Sequence, residues 1–316
     1  MKEELEQLIG LEVVENEPLK NHTTFRVGGP ARYFVKVESK AQLLAALRAA
    51  HTKKLAFFIL GGGSNVLVAD KGFDGLVIKT LPGDFVIKED LVTAFSGSIL
   101  LKMIREATKN NLGGLEFAGN IPGTVGGGVR GNCGAYGKGV GDFVKQVEAI
   151  CLDETGIGLK VFQKDECEFA YRESIFKQNP DWVIAEVVFE LSPADFAEES
   201  LHKMDEEWQQ RCAKQPLDTP SAGCTFKNIN FDAKEHEKYT GWQTNGKLAA
   251  GKFIEEADLK GMKIGGAMIS DKHANFIINF DNATADDIVQ LISLVKTRVR
   301  NQFGVQFEEE IQYIGF

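Results

Sequence analysis

Two glycine-rich stretches are the residues best suited to chemistry in this sequence. Gly61-Gly62-Gly63 follows the apolar run Phe57 to Leu60 and leads into Ser64 and Asn65, so side-chain-free residues close a buried strand. Such a loop exposes backbone N–H groups that can form a concavity for an anion such as a pyrophosphate. A plain tight turn is the alternative, since glycine turns are common. The second stretch, Ile121-Pro122-Gly123-Thr124 through Gly137, lies within Gly113 to Gly141, where more than a third of the 33 glycines fall. That density opposes a regular helix and lets backbone approach a ligand closely, as a planar ring system laid against a wall without side chains requires.

Two nucleotide-binding patterns occur by letter count and are set aside. Gly126, Gly128 and Gly131 satisfy G-x-G-x-x-G, but they follow Pro122 and Gly123, so the strand-turn-helix context of a dinucleotide fold is missing. Gly241 to Lys247 has phosphate-loop spacing, yet Leu248 stands where a Ser or Thr hydroxyl should hold magnesium.

The elements that must position these loops can be read from periodicity. Tyr33, Val35 and Val37 alternate as in a half-buried strand, and Ser39 with Gln42 forms a capping box ahead of a helix carrying Leu43, Leu44 and Leu47. Strands are predicted at 57–60, 75–79, 91–95, 147–152 and 183–191, with a helix over 99–109. Ser192 and Pro193 are read as opening a helix with Met204, Trp208 and Cys212 along one stripe. Thr284 and Asp287 should cap a last helix whose stripe is Ile288, Leu291, Ile292, Val295 and Val299, with Gly304 as its stop. Alternation over Val305 to Tyr313 predicts a final strand. The conformation of Asn230 to Asn245 is left open.

Composition bounds the function. With 316 residues, two domains are expected. The 36 Lys plus Arg against 45 Asp plus Glu give a net charge of -9, which argues against nucleic acid as a partner while permitting a local basic pocket. No apolar run is long enough for a membrane span. Met1 to Leu8 lacks the apolar centre of a secretory signal. Cys133, Cys151, Cys167, Cys212 and Cys224 form no C-x-x-C pair, so free thiols in a reducing cytoplasm are expected. The five scattered histidines suggest no metal site.

Six motifs occur in an order that resembles a known family. They are Asn21-His22-Thr23-Thr24-Phe25; Gly61 to Asn65; Ile121 to Gly127 with Asn132 and Gly134-Ala135-Tyr136-Gly137; Tyr171-Arg172-x-Ser174-x-Phe176-Lys177; Pro220-Ser221-Ala222-Gly223-Cys224-x-Phe226-Lys227-Asn228; and Glu310. Together they resemble the UDP-N-acetylenolpyruvoylglucosamine reductases, also called UDP-N-acetylmuramate dehydrogenases, flavoenzymes of bacterial peptidoglycan precursor synthesis. The resemblance runs from about Asn21 to Gly315. It implies an α+β protein: an FAD-binding domain of the vanillyl-alcohol-oxidase type (PCMH) in two subdomains over 1–205, then a smaller α+β substrate-binding domain over 206–316. NADPH would reduce FAD, and the flavin would pass a hydride to the enolpyruvyl group of UDP-N-acetylglucosamine enolpyruvate. The expected partners are that nucleotide and NADPH, with no nucleic acid and no membrane, and the chain is expected to act as a monomer.

The resemblance also implies roles. Cys224 would protonate the substrate carbon, which suits a thiol with a reference pKa of about 8.5 that still holds its proton at neutral pH. Arg172 and Glu310 would bind and polarise the substrate carboxylate. Tyr171, Lys227, Asn228, Lys260 and His273 match substrate-contacting positions. Gly61, Gly62, Gly63, Ser64, Asn65, Pro122, Gly123, Thr124, Gly127, Asn132, Gly134, Ala135 and Arg211 match cofactor-binding positions. Ile229, Met268 and Gln312 depart from the family pattern. The short stretch between Arg172 and Cys224 resembles the variant without an extra loop over the substrate. A flavin oxidase of the same fold and a nucleotide-sugar-binding regulator remain as alternatives.

Overall fold

Tyr33, Val35 and Val37 are all buried along the Pro30–Val37 strand, as their alternation requires. That strand belongs to a computed structural model that describes residues 1–153 and 156–316. The chain divides into two units. One comprises Met1–Glu17, Ala31–Gly62 and Asp74–Gln209; the other comprises Pro18–Pro30, Gly63–Phe73 and Gln210–Phe316.

The first unit is built on two sheets. The four-stranded one runs Val14–Pro18, Pro30–Val37, Phe73–Thr80, Phe57–Leu60, with the last two parallel and Leu60 opposite Lys79. Helices α1 (Lys2–Ile9) and α2 (Lys40–Thr52) cover it through Leu5, Ile9, Leu43, Ala46 and Leu47. Ser39 caps α2 by accepting from Gln42 N at 3.3 Å, while the Gln42 side chain accepts from Glu38 N at 2.7 Å, one residue before the cap.

The second sheet is antiparallel, in the order Gly156–Gln163, Val144–Asp153, Trp182–Glu190, Leu91–Phe95, Phe85–Lys88. Ile150, Val183 and Ala185 join the core with α2, whereas Val147, Ala149, Ile184 and Val187 face helices α3 (Leu100–Lys109) and α4 (Val125–Arg130). Both faces are therefore covered, which explains the near-continuous apolar runs of its central strands. A four-residue helix, α5 (Ile175–Gln178), adds the buried Phe176.

Three expectations need correction. Ser192–Pro193 does not open a helix; it pairs as a short strand with Leu112–Gly113, and α6 begins only at Ala197 and runs to Lys214. The expected stripe on α6 is not a buried face, because Met204 is buried but Trp208 is 45% exposed. Nor is 305–313 one strand: Val305, Phe307 and Ile311 are buried in an irregular segment, and only Gln312–Ile314 is extended, parallel to Val66–Val68.

The second unit surrounds one core. Its sheet has the order Ser221–Cys224, Phe276–Asn279, Ala267–Ile269, Lys263–Ile264 and is covered by α7 (Ala250–Glu256) and α8 (Ala285–Phe303). Phe25, Val27 and Leu67 from the two early segments enter the same core. Between 230 and 245 the chain forms short strands and a 3-10 turn, Glu237–Trp242, whose Tyr239 and Trp242 pack edge-on to Phe253 and Phe303. Among the described residues no helix is long and apolar enough to cross a membrane.

Helix α8 shows why the Gly63–Phe73 segment belongs here. Its amino end would leave unsatisfied N–H groups. Asp70 accepts from Ala285 N at 2.9 Å and Asp286 N at 3.2 Å, and Thr284 accepts from Asp287 N at 3.1 Å. The Asp287 carboxylate accepts in turn from Thr284 N and Gly266 N, at 2.9 and 3.1 Å, and Gly304 ends the helix with φ 74.

Backbone donation from Thr284 holds the Asp287 carboxyl below its ordinary 3.8. A depressed folded value means stability that is present above the unfolded carboxylate range and lost as pH falls through the folded one. Thr284→Ala should cost about 1 kcal/mol at neutral pH in denaturant unfolding. Asp287→Asn should also destabilise there, with its gap from wild type closing as the solution is acidified; a gap independent of pH would contradict the assignment.

Candidate active site

In the first unit the two glycine stretches meet. A Cβ on Gly62 would lie 3.0 Å from Gly123 Cα, where the loops approach backbone to backbone, and one on Gly61 would lie 2.6 Å from the capping Thr124 Oγ1. Glycine is required there by close approach. Thr124 caps α4, accepting from Gly127 N at 3.3 Å. The residues of the discounted G-x-G-x-x-G pattern fall inside α4 or at its end, not on a strand-to-helix turn.

The side-chain-free wall is narrower than its letter count suggests. Gly126 packs on Ser96, and Gly128 on Cys133 and Leu100, so these two serve the protein's own packing. Pro122, Gly127 and Gly137 are exposed, Gly123, Gly134 and Ala135 half-buried. Asn132, at φ 40, spends its amide internally: it donates to Ala170 O at 2.8 Å and accepts from Gly141 N at 2.9 Å.

One cation there went unnoticed in the sequence. Lys79 ends the apolar run Leu76-Val77-Ile78, and its ammonium donates to the Gly61 carbonyl beneath the glycine loop. Burial lowers its pKa, and among the described residues it forms no ion pair. The signal was available, since a lysine directly after three apolar residues of a strand is one that burial would force to find a partner.

Tyr171 and Arg172 form the tip of a two-residue turn closed by the Ala170 and Glu173 bridge. Arg172 has φ 59; its guanidinium lies 5.3 Å from the Tyr171 ring centroid, and Nη1 donates to Gly134 O at 3.2 Å.

In the second unit, Cys224 and Glu310 sit on adjacent chains. Phe226 bridges Glu309 antiparallel, Glu310 N donates to Thr225 O at 2.8 Å, and Lys227 N to Glu308 O at 2.9 Å. Just before Cys224 the strand bulges: Ser221 pairs with Ile278 but Cys224 with Phe276, and Gly223 takes φ 76. A glycine bulge bends a strand and re-aims the residues that follow. On the other edge the buried Asn275 clamps Phe226, accepting from its N–H at 3.0 Å and donating to its carbonyl at 2.9 Å. Asn65 also serves this segment: its amide donates to Glu310 O at 3.1 Å and its carbonyl accepts from Gln312 N at 2.9 Å.

The remaining candidates are spread through this unit. Lys227 is 17% exposed and pairs with Glu308 at 3.2 Å. The exposed Asn228 accepts from Ala250 N at 3.2 Å, at the start of α7. Lys260 pairs with Glu255 at 3.1 Å on the surface. His273 packs on Phe276, and burial lowers its pKa, favouring a neutral ring. Arg211 donates twice to Gln215, at 3.1 Å each. Gly63 accepts from Thr24 N at 3.0 Å.

Residues 31–157 match the model of an FAD binding domain, and residues 215–314 match the UDP-N-acetylenolpyruvoylglucosamine reductase C-terminal domain. The UDP-N-acetylenolpyruvoylglucosamine reductase of Carboxydothermus hydrogenoformans is 40% identical over 317 residues, covering 100% of this chain and 98% of that protein. The chain belongs to the UDP-N-acetylenolpyruvoylglucosamine reductase family. The reductase of Caldicellulosiruptor bescii is 42% identical, with 97% of this chain and 92% of that protein covered. The solved structure of the Thermus caldophilus reductase covers 96% of this chain and 98% of that one, with TM-score 0.74 and 31% identity. The chain is thus an FAD-dependent oxidoreductase in which an FAD-binding domain precedes the family's own C-terminal domain.

Asn275 gives the site a stability test. Asn275→Ala strips partners from two backbone groups of the fully buried Phe226, and about 2–6 kcal/mol should be lost, at roughly 1–3 per unsatisfied group. Denaturant unfolding checks it, and a loss no larger than that of an exposed Asn→Ala change would deny the clamp its weight.

Proposed function

We propose that the chain is the cytoplasmic, NADPH-dependent reductase that converts UDP-N-acetylglucosamine enolpyruvate to UDP-N-acetylmuramate. The observation that carries this reading is the pairing of the Cys224 to Lys227 segment with Glu308 to Glu310, which sets a thiol and a carboxyl on neighbouring chains. When bound, FAD supplies the hydride chemistry, accepting from NADPH and delivering to the enolpyruvyl double bond. In this reading residues 1–205 are the FAD-binding domain and 206–316 the substrate-binding domain.

The residues present suit such a cofactor. Its pyrophosphate calls for backbone without side chains and a nearby cation, and Gly61, Gly62, Gly123 and Lys79 combine the two. Gly63, Ser64, Asn65, Pro122, Thr124, Gly127, Asn132, Gly134, Ala135 and Arg211 complete the proposed cofactor set, Asn132 by shaping the loop rather than by a spare amide.

The chain's own groups would then divide the remaining work. Arg172 binds the substrate carboxylate and stabilises the charge that develops on it as an enolate when hydride adds to one carbon. The Cys224 thiol donates its proton to the other carbon, completing addition of H⁻ and H⁺ across the double bond. Glu310 shares a proton with the carboxylate. Tyr171, Lys227, Asn228, Lys260 and His273 orient the nucleotide sugar, with the cations supplying charge that a net acidic surface otherwise lacks.

Anaerobic reduction with NADPH followed by addition of the enolpyruvyl nucleotide tests donor, cofactor and acceptor together. Flavin absorbance should bleach and then return. Cys224→Ala should bleach normally and recover about 10²- to 10⁴-fold more slowly, the range of a lost general acid. Recovery as fast as in wild type would remove Cys224 from the mechanism, and rapid oxygen consumption with a simple sugar would favour the oxidase.

A further inference from the structure

Arg172 is held in a backbone conformation that its own residue type disfavours. Ala170 and Glu173 exchange both N–H to O bonds at 3.1 Å, which leaves Tyr171 and Arg172 as the corner residues of a tight turn. The second corner has φ 59. Turns of that kind place Gly or Asn there, because a side chain in the left-handed region is strained. Strain of this sort persists only where surrounding contacts over-determine it.

Lys177, on α5, is the contact best placed to do so. Its ammonium donates to the Arg172 carbonyl at 2.7 Å and to Glu173 Oε1 at 2.9 Å, and its side chain is only 15% exposed. An i, i+4 ion pair on a helix surface would not engage the carbonyl of a residue outside the helix. A compact ammonium can direct separate donors at a carbonyl and a carboxylate, which a planar guanidinium matches poorly. The turn is held from its other side by Asn132, whose amide binds Ala170 O at 2.8 Å, and the following Ser174 donates to Arg130 O at 2.7 Å.

We propose that Lys177 is a positioning residue for Arg172: by binding the Arg172 carbonyl and the Glu173 carboxylate together, it fixes the left-handed turn from which the guanidinium meets the substrate carboxylate. The inference rests on the reading of Arg172 under the proposed function. Both partners of Lys177 are protein groups, so its effect on the substrate would run through Arg172.

The two half-reactions of the holoenzyme separate this from a purely structural role. In Lys177→Met, which keeps the aliphatic stem, NADPH should reduce the flavin at the wild-type rate with flavin content unchanged. Reoxidation by the enolpyruvyl nucleotide should slow about 10- to 100-fold, the scale of a small misplacement of a reacting group. Lys177→Gln, which keeps a donor for the carbonyl, should fall between. In an Arg172→Ala background Lys177→Met should add less than about a twofold further loss, since residues acting as a unit are not additive. Wild-type reoxidation by Lys177→Met, an equal loss in both half-reactions, or full additivity with Arg172→Ala would overturn the inference. Wild-type enzyme that is never reoxidised by the nucleotide would instead overturn the proposed function.

Discussion

Everything in the second unit that bears on chemistry depends on how one short segment, Thr225 to Lys227, satisfies its backbone. Phe226 is buried, so its N–H and carbonyl cannot fall back on water. Asn275 supplies both partners from one side-chain amide and accepts from Thr225 N with its own backbone carbonyl, while Thr225 O accepts from Glu310 N and Lys227 N donates to Glu308 O. Cys224 and Glu310 are therefore carried on neighbouring segments, because pairing of Thr225 to Lys227 with Glu308 to Glu310 satisfies buried backbone groups between them. Asn65 extends the constraint by gripping the Glu310 carbonyl and the Gln312 amide, where the Gln312–Ile314 strand begins to run parallel to Val66–Val68.

The first unit meets a comparable demand with strained backbone. Asn132 and Arg172 both take positive φ, and Asn132 is also the residue whose amide braces the Arg172 turn. Asparagine tolerates the left-handed region; arginine does so at a cost. A turn optimised for stability alone would carry glycine or asparagine at position 172. That it carries a long cation, stacked near Tyr171 and bound to Gly134 O, is a local conflict of the kind that collects at functional sites.

Much of this was legible in the sequence wherever a local signal sufficed. The Thr284 and Asp287 box, the stripe from Ile288 to Val299 and the Gly304 stop describe α8 as it is, because caps and periodicity act within a few residues. The motifs around Cys224 and Glu310 were readable as motifs. What was not readable was long-range. Nothing near Asp70 announces that it will cap a helix starting at Ala285, and nothing near Asn275 announces that Phe226 needs it. The reading of Ser192-Pro193 as a helix start fails for a related reason: strand pairing with Leu112–Gly113 outweighs a local preference. The glycine-rich stretch misled in a third way, since composition cannot tell a glycine facing a ligand from one facing Ser96 or Cys133.

Charge raises a last question, because a chain of net charge -9 is proposed to hold an anionic cofactor, donor and substrate. Surface charges beyond about 8 Å are largely screened at physiological ionic strength, so the net value matters less than the few cations in partly buried positions. Lys79 and Lys177 each follow an apolar residue, Ile78 and Phe176. Their partners separate them. Lys177 is matched by a carboxylate and a carbonyl, so its charge is neutralised within the protein. Lys79 has only the Gly61 carbonyl, and burial there lowers its pKa. An ammonium held out of water without a counter-charge is costly, and no protein carboxylate among the described residues offsets it. Under the proposed function, the pyrophosphate of FAD at the glycine loop would supply that counter-charge.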